Sequence, residues 1–221
     1  AIFKQIVHIW KGSIGEDYSN IYNSSANIKY YENVYNILCK ELGVFQLGEG
    51  GTYFQKIVNY FLKDDDVEIS LSIIELMMWH IDKYYEKYYD KDNFQKVIDE
   101  LNERFKENGI GYQYENRKII RIDSQYIHTE VVKPALTLLG NPIYQGAQQE
   151  FLNAHEHYRH QRYQEAMIDC LKAYESTLKI ILKKRNWEYK DTDTADALTG
   201  KIMQKGLIPD YWQQYFKSLK N

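Results

Sequence analysis

The sequence predicts a mainly helical protein that contains one small antiparallel β-hairpin. Apolar residues recur every three to four positions through most of the 221 residues, which is the spacing of one face of an α-helix. Residues 110–123 depart from this spacing, because their apolar side chains alternate along two short runs that a turn separates. The helical spacing then resumes. We therefore expect a helical N-terminal module with one hairpin, followed by a helical bundle.

The first part of the chain is predicted to form helices that glycine or acidic turns separate. Gly12 and the polar stretch over 13–27 predict the end of the first helix and a loop. Gly43 is expected to end the second helix in a left-handed conformation. The aspartates at 64–66 are expected to stabilise the positive end of the long helix that follows them. The predicted helices cover residues 3–12, 28–42, 53–62, 67–89 and 94–106.

The predicted hairpin covers about residues 110–123. Tyr112 and Tyr114 alternate along its first run, and Ile120 and Ile122 alternate along its second. This alternation predicts strands with one face buried, joined by a turn at 116–117. Two strands alone are only marginally stable, so the ribbon must pack against the surrounding helices.

A module boundary is predicted where the helical pattern after the hairpin ends. This pattern covers residues 128–139, and Pro134 should bend or interrupt the helix because proline lacks a backbone N–H. The turn at 140–142 follows. We place the boundary at this turn, which gives modules at 1–140 and 141–221.

The second module is built on a predicted helical hairpin over residues 151–187. Its second helix carries an apolar seam that we expect to pack against neighbouring helices. A linker at 190–194 leads to a short helix at 195–204. The members of the seam are Tyr163, Met167, Cys170, Leu171, Tyr174, Leu178, Ile181 and Leu182.

Composition excludes some functional classes. A net charge of −3 and a pI near 6.1 give no chain-wide basic signal for nucleic acid, so any RNA contact must be local. The mean hydropathy is −0.60 and no apolar run approaches the roughly 20 residues of a membrane span, which predicts a soluble protein. Cys39 and Cys170 are expected to be buried free thiols. Without a signal peptide they favour a cytoplasmic location. No cofactor motif stands out.

The densest group of potential metal ligands consists of His155, His157 and His160. A zinc-protease motif needs two histidines four residues apart that flank a glutamate, but the fourth residue after His155 is Arg159. A cationic, solvated helix face explains this cluster better than a metal site. We predict no metal and retain these histidines as weak candidates.

Arg121 and His128 are the candidate catalytic pair. An arginine and a histidine can together cleave RNA without a metal, because the histidine transfers a proton and the guanidinium stabilises charge on the phosphate. Arg121 belongs to the second strand and His128 to the apolar stripe of the following helix. The structural alternative is an ion pair between Arg121 and Asp123 or Glu130.

Four segments carry a family resemblance: IIELMM at 73–78, the run at 102–139, the run at 146–189, and GLIP at 206–209. In this order they resemble the bacterial AbiJ-type abortive-infection proteins, in which an N-terminal AbiJ module precedes a C-terminal Abi-C, or HEPN-like, helical domain. The resemblance implies antiphage defence and a toxin-like effector. It also implies a homodimer formed through the C-terminal helices, with RNA as a partner and no small-molecule cofactor.

The resemblance also implies a metal-independent RNase motif, an Arg and a polar residue followed by a His four to six residues beyond the Arg. No residues from 151 to 221 have this spacing, and the resemblance places the motif beyond Asn221. Either the chain is part of a longer protein or it is an inactive relative, so whether it is an enzyme stays open. Arg121 and His128, with six residues between them, meet the loose form of the motif in the other module. The alternative function is a non-catalytic sensor or interaction module of a defence system.

Overall fold

A computed structural model of the chain describes residues 2–17, 25–89, 91–209 and 212. The chain divides into two compact units, Ala1–Asp123 and Ser124–Asn221. The described residues are mainly helical with one two-stranded antiparallel sheet, which confirms the predicted fold class. No helix in this part of the chain combines the length and the apolar character needed to cross a bilayer. The division into modules at residue 140 stays a prediction.

The N-terminal unit consists of helices followed by the hairpin, in the predicted order. Its interior is rich in aromatic rings: Trp10 packs on Phe61, and Tyr31 packs on Phe54, with ring centroids 4.8 and 4.9 Å apart. Each fully buried large side chain of this kind stabilises the fold by about 1.5–3 kcal/mol. The elements are α1 (Ile2–Ile14), α2 (Ser25–Glu41), α3 (Tyr53–Lys63), α4 (Val67–Tyr88), α5 (Lys91–Glu107), β1 (Tyr112–Glu115) and β2 (Lys118–Arg121).

Helix α1 is longer than the sequence predicts. It continues through Gly12 and ends at Ile14, so Gly12 does not terminate it. Gly15 takes that role instead, since it has φ +85° and its N–H donates to the Lys11 carbonyl. A buried Ile14 extends the apolar face by one turn, which offsets the cost of a glycine inside the helix. Residues 18–24 of the predicted loop lie outside the described residues.

The predicted end of α2 and the predicted start of α4 are confirmed. Gly43 has φ +66°, and the N–H of Val44 donates to the Cys39 carbonyl, which is the expected left-handed helix end. Asp66 caps the start of α4 by accepting from the N–H groups of Glu68 and Ile69. A carboxylate at this position also interacts favourably with the positive end of the helix.

The hairpin is buried on both faces at its centre, so the predicted single buried face is wrong. Tyr114 pairs with Ile119 on one face and Gln113 pairs with Ile120 on the other, and all four are buried. Helices supply the cover, as expected for a ribbon that is marginal alone. The Asn102 side chain of α5 holds the backbone N–H and C=O of Tyr114 at 2.7 and 3.0 Å. Glu75 of α4 accepts from the Ile119 N–H at 2.8 Å.

The C-terminal unit begins with a helix that widens in its middle. Residues 125–127 (α6) lead into a π-helical turn at His128–Val132, and α7 (Lys133–Leu139) follows without a break. The N–H of Lys133 donates to the His128 carbonyl, five residues back. Pro134 lacks an N–H and its ring would crowd the carbonyl four residues earlier, so the wider turn precedes it. The helix is therefore modified at Pro134 rather than interrupted.

The predicted helical hairpin forms the body of this unit. A short 3-10 turn (Pro142–Tyr144) leads into α8 (Gln145–Arg159), which packs along α9 (Tyr163–Lys184). Helix α10 (Ala195–Gln204) packs against the C-terminal half of α9. Leu178 and Leu182 of α9 form a cluster with Leu198 and Ile202 of α10. The Tyr174 hydroxyl lies 2.8 Å from the Thr199 hydroxyl beside this cluster.

The apolar seam of α9 is only half buried, which corrects the prediction. Its C-terminal half lies under α10, but Tyr163, Met167, Cys170 and Leu171 in its N-terminal half are exposed. The contact with α8 is made by small residues of the adjacent stripe, such as Ala166, because alanines allow the two helix backbones to approach. The expected buried thiols are also corrected, since Cys39 is half-buried and Cys170 is exposed.

Candidate functional site

His128, one of the two candidate catalytic residues, lies at the first position of the π turn and is only 3% exposed. Ile127 and Val131 beside it are exposed, so the turn directs His128 toward the interior of the C-terminal unit. A buried imidazole is poorly placed to contact a large substrate directly. His128 is therefore part of the interior of the C-terminal unit, and its catalytic role stays a prediction.

His155 of α8 lies near His128. Burial lowers the pKa of His155 to about 4, and the charge of His128 lowers it further in the same direction. The His155 ring meets the Phe151 ring edge-on, with centroids 4.8 Å apart. At neutral pH this imidazole is uncharged. Its pKa lies well below the range that suits a general base at neutral pH, which favours a packing role.

The three candidate metal-binding histidines do not converge. His155 faces the interior, whereas His157 Nε2 lies 3.4 Å from Asp169 Oδ2 of α9 and His160 ends α8. Within the described part of the chain, no group of three or more His, Cys, Asp or Glu side chains could hold a metal ion. The predicted cationic, solvated face is wrong for this stretch, because His155 and His157 are partly buried and Arg159 is fully buried.

Arg121, the other candidate catalytic residue, ends β2 in the N-terminal unit. Its Nε donates to Asp123 Oδ1 at 2.9 Å, and both side chains are partly exposed. This contact is the ion pair that the structural alternative predicts. Arg121 and His128 belong to different units. Their joint catalytic role stays a prediction.

Sequence reasoning missed a charged group in the interior of the C-terminal unit. Arg159 is buried at the C-terminus of α8, where a cation interacts favourably with the helix dipole. Asp169 of α9 contacts two basic side chains: its Oδ2 lies 3.4 Å from His157 Nε2, and its Oδ1 accepts from the Lys172 ammonium at 2.9 Å. The residue types gave no signal for this burial, because a helix with so many polar residues is typical of a solvated face.

The most distinctive surface of the C-terminal unit is apolar. We call it the α9 face, and it comprises a shallow groove of about 340 Å³ and the exposed half of the seam. Met167 is 72% exposed and Leu171 is 52% exposed, although side chains of this type are usually buried. Exposed apolar patches on proteins of this kind often mark binding sites. The groove is lined mainly by Val131, Phe151, Tyr158, Tyr163, Met167 and Cys170.

The α9 face is the uncovered part of an apolar stripe whose other part packs against a helix. The stripe that carries Met167 and Leu171 continues, two turns later, into Leu178 and Leu182, which α10 covers. Within the described residues, no side chain covers the first half in the same way. This arrangement can bury a partner helix, and the described residues that line the groove include no carboxylate, lysine or arginine.

Two family models account for most of the chain. Residues 1–137 match AbiJ N-terminal domain 4, and residues 145–221 match a HEPN-like domain, Abi_C. No curated protein and no solved structure matches the chain. Both domain types support a role in abortive-infection defence. The chain thus belongs to the AbiJ-type abortive-infection family, with an AbiJ N-terminal domain followed by a HEPN-like C-terminal domain.

Proposed function

We propose that the intact protein acts in the bacterial cytoplasm as an antiphage effector, and that its HEPN-like domain cleaves or binds RNA without a metal ion. The observation that carries this proposal is the HEPN-like match over residues 145–221, which falls on a helical unit with an exposed apolar face. The acidic net charge gives no general affinity for phosphates, so RNA recognition is local.

We propose a second copy of the chain as the occupant of the α9 face. The groove and the projecting side chains lie on one surface, and a twofold-related copy can place its own Leu171 or Met167 in the groove of its partner. Such a contact would extend the helix packing that α10 provides for the other half of α9. Burial of the exposed apolar side chains supplies the driving force.

RNA cleavage by the intact protein tests the enzymatic proposal. We expect purified protein to degrade RNA in the presence of EDTA, because arginine and histidine side chains need no metal for this reaction. Cleavage that depends on added Mg²⁺ or Mn²⁺ would contradict the proposal. Tight RNA binding without cleavage would support the binding form of the effector.

The same assay tests the candidate pair. If Arg121 and His128 act in cleavage, Arg121→Ala and His128→Gln should each lower the rate by about 100-fold or more. The matched controls are Arg162→Ala and His8→Gln, since both of these side chains are exposed. Full activity in a folded Arg121→Ala variant would leave Arg121 with its ion pair to Asp123 as a structural role.

The second candidate function is a sensor or interaction module in the N-terminal unit. A specific observation favours it: this unit has a cavity with buried polar side chains in its wall, between α4, α5 and the hairpin. A sensor needs a site of this kind, and the RNA effector does not. Phage protection by a variant that has lost RNA cleavage would favour the sensor function.

A further inference from the structure

The cavity in the N-terminal unit has a volume of about 390 Å³. This volume lies near the lower end of the roughly 300–1,000 Å³ typical of small-molecule sites. Asp82 of α4 lies on one side, Phe94, Gln95 and Ile98 of α5 lie on another, and the hairpin residues 114–117 complete the wall. All of these residues belong to the same compact unit.

Tyr114 is the feature that points to a ligand. The residue is 0% exposed and lines the cavity, and its hydroxyl has no hydrogen-bond partner among the described residues. Buried polar groups in proteins are nearly always hydrogen-bonded, so an exception calls for an explanation. Burial raises the pKa of Tyr114, and the charges of Asp82 and Glu75 raise it further, so the hydroxyl keeps its proton and can donate.

Hydrogen bonds to both backbone groups fix the position of Tyr114. The Asn102 side chain accepts from its N–H at 2.7 Å and donates to its C=O at 3.0 Å. The cross-strand neighbour Ile119 is held in turn by Glu75. Little conformational freedom remains to be lost when the hydroxyl meets a ligand, and such preorganisation favours binding.

The hairpin turn places Arg117 in the lining of the cavity. Asn116 and Arg117 have φ values of +48° and +67°, a region that asparagine tolerates and arginine rarely adopts. The Arg117 side chain reaches Asp82 at 2.6 Å and Glu86 at 2.9 Å. Both φ values are those of a two-residue type I′ hairpin turn, and the ion pairs hold Arg117 in this turn beside the cavity.

The charges around the cavity select the class of ligand. Asp82 and Glu115 line it, and Arg117, the one cation among the described lining residues, is already engaged by two carboxylates. A phosphate group would therefore meet more negative than positive charge. Phe94 and Ile98 supply apolar lining, while Tyr114 and Gln95 are lining residues with polar side chains. An uncharged, flat molecule with hydrogen-bond acceptors at its edge matches this combination.

We propose that this cavity binds a free, uncharged heteroaromatic molecule of nucleobase or nucleoside size, with the Tyr114 hydroxyl donating to a ring acceptor and Phe94 packing on its face. The proposal rests on the sensor function of the N-terminal unit and is independent of RNA cleavage. Such a ligand would be the signal that the proposed sensor detects. The site therefore gives the sensor a chemical class of signal.

Binding to the intact protein, measured by isothermal titration calorimetry, tests the proposal. The probes are adenosine, guanosine, cytidine and uridine, their free bases and their 5′-monophosphates. We expect saturable binding of at least one nucleoside or base, and binding at least about tenfold weaker for the corresponding monophosphate. The proposal is overturned if no probe binds at concentrations up to about 1 mM, or if a monophosphate binds more tightly than its nucleoside.

Tyr114→Phe removes the hydroxyl and keeps the ring. We expect it to weaken binding about tenfold, because the ligand acceptor loses its donor. Tyr60→Phe is the matched control, since Tyr60 lines a separate cavity of about 400 Å³ in the same unit. Binding should stay within about twofold of the unmodified protein in the control. Equal affinity of Tyr114→Phe and the unmodified protein would overturn the assignment.

A stability measurement separates a binding role from a structural one. Without ligand, Tyr114→Phe should melt at the same temperature as the unmodified protein or higher, because a buried hydroxyl without a partner is removed. The increase in melting temperature on adding nucleoside should be lost at the same time. A lower melting temperature without ligand would mean that the hydroxyl stabilises the fold, and the proposal would fail.

Discussion

At the scale of residues, the C-terminal unit brings two imidazoles into its interior, at His128 and His155. His128 lies on the apolar stripe of its helix, whereas His155 belongs to a polar stretch, and the burial of both follows from the packing of α8 and the π turn. A sequence pattern can show that a histidine belongs to a helix, but not that neighbouring elements remove its solvent. Arg159 was misjudged for the same reason. The apolar stripe indicated an inward position for His128, whereas the burial of His155 had no signal in the sequence.

The lowered pKa of His155 predicts acid sensitivity of the C-terminal unit. As the pH falls below 6.5, the unfolded chain gains a proton on this histidine, while the folded protein resists protonation until about pH 4. The free energy of unfolding should therefore fall across this window, by at most about 3 kcal/mol, and should not change above pH 6.5 for this reason. His155→Leu should flatten this slope in urea unfolding experiments at pH 7.5 and 5.

The control for this experiment is His8→Leu, because His8 is exposed in the other unit. Its unfolding should keep the acid sensitivity of the unmodified protein. An undiminished slope in His155→Leu would show that other groups cause the acid sensitivity.

At the scale of elements, α9 shows which part of a helix a sequence can define. Apolar spacing predicted the helix and its seam, because periodicity is a local property. It could not predict that α10 covers only the C-terminal half, since the cover depends on where the chain turns after residue 184. In α1 the error was also one of context, because burial of Ile14 extended the helix past Gly12. The hairpin was predicted from alternation, and its second buried face was not, because α4 and α5 provide it.

The two halves of the seam predict different costs for the same substitution. Leu182→Ala should lower the free energy of unfolding by about 2–5 kcal/mol, because it opens a cavity beside Leu198 and Ile202. Leu171→Ala removes the same atoms from an exposed position and should cost less than about 1 kcal/mol in the dissociated chain. Urea unfolding followed by circular dichroism at low protein concentration measures both. Equal losses would contradict the division of the seam.

At the scale of the whole molecule, the chain carries two kinds of surface in two compact units. The N-terminal unit has a cavity with polar groups, and the C-terminal unit has the α9 face. Neither could be located from the sequence, because both depend on the distances between elements that only folding sets. The family resemblance could be formulated, since it rests on the order of segments along the chain.

The α9 face predicts self-association. We expect a dimer in multi-angle light scattering, and Met167→Glu should weaken it by about 100-fold or more, because a charge would be buried in an apolar contact. Phe45→Glu is the control, since Phe45 is a fully exposed aromatic residue of the other unit. A monomeric protein at concentrations of about 100 μM would contradict the proposal of a second copy on this face.

The contacts of Asn102 and Glu75 with the hairpin have a consequence for solubility. A two-stranded ribbon normally presents outward-pointing backbone groups on both of its long edges, where strands from other molecules can add and begin aggregation. At the centre of this ribbon, Asn102 occupies those groups on the β1 side and Glu75 occupies the Ile119 N–H on the β2 side. Two helix side chains thus act as gatekeepers against cross-β polymerisation, independently of their contribution to folding stability.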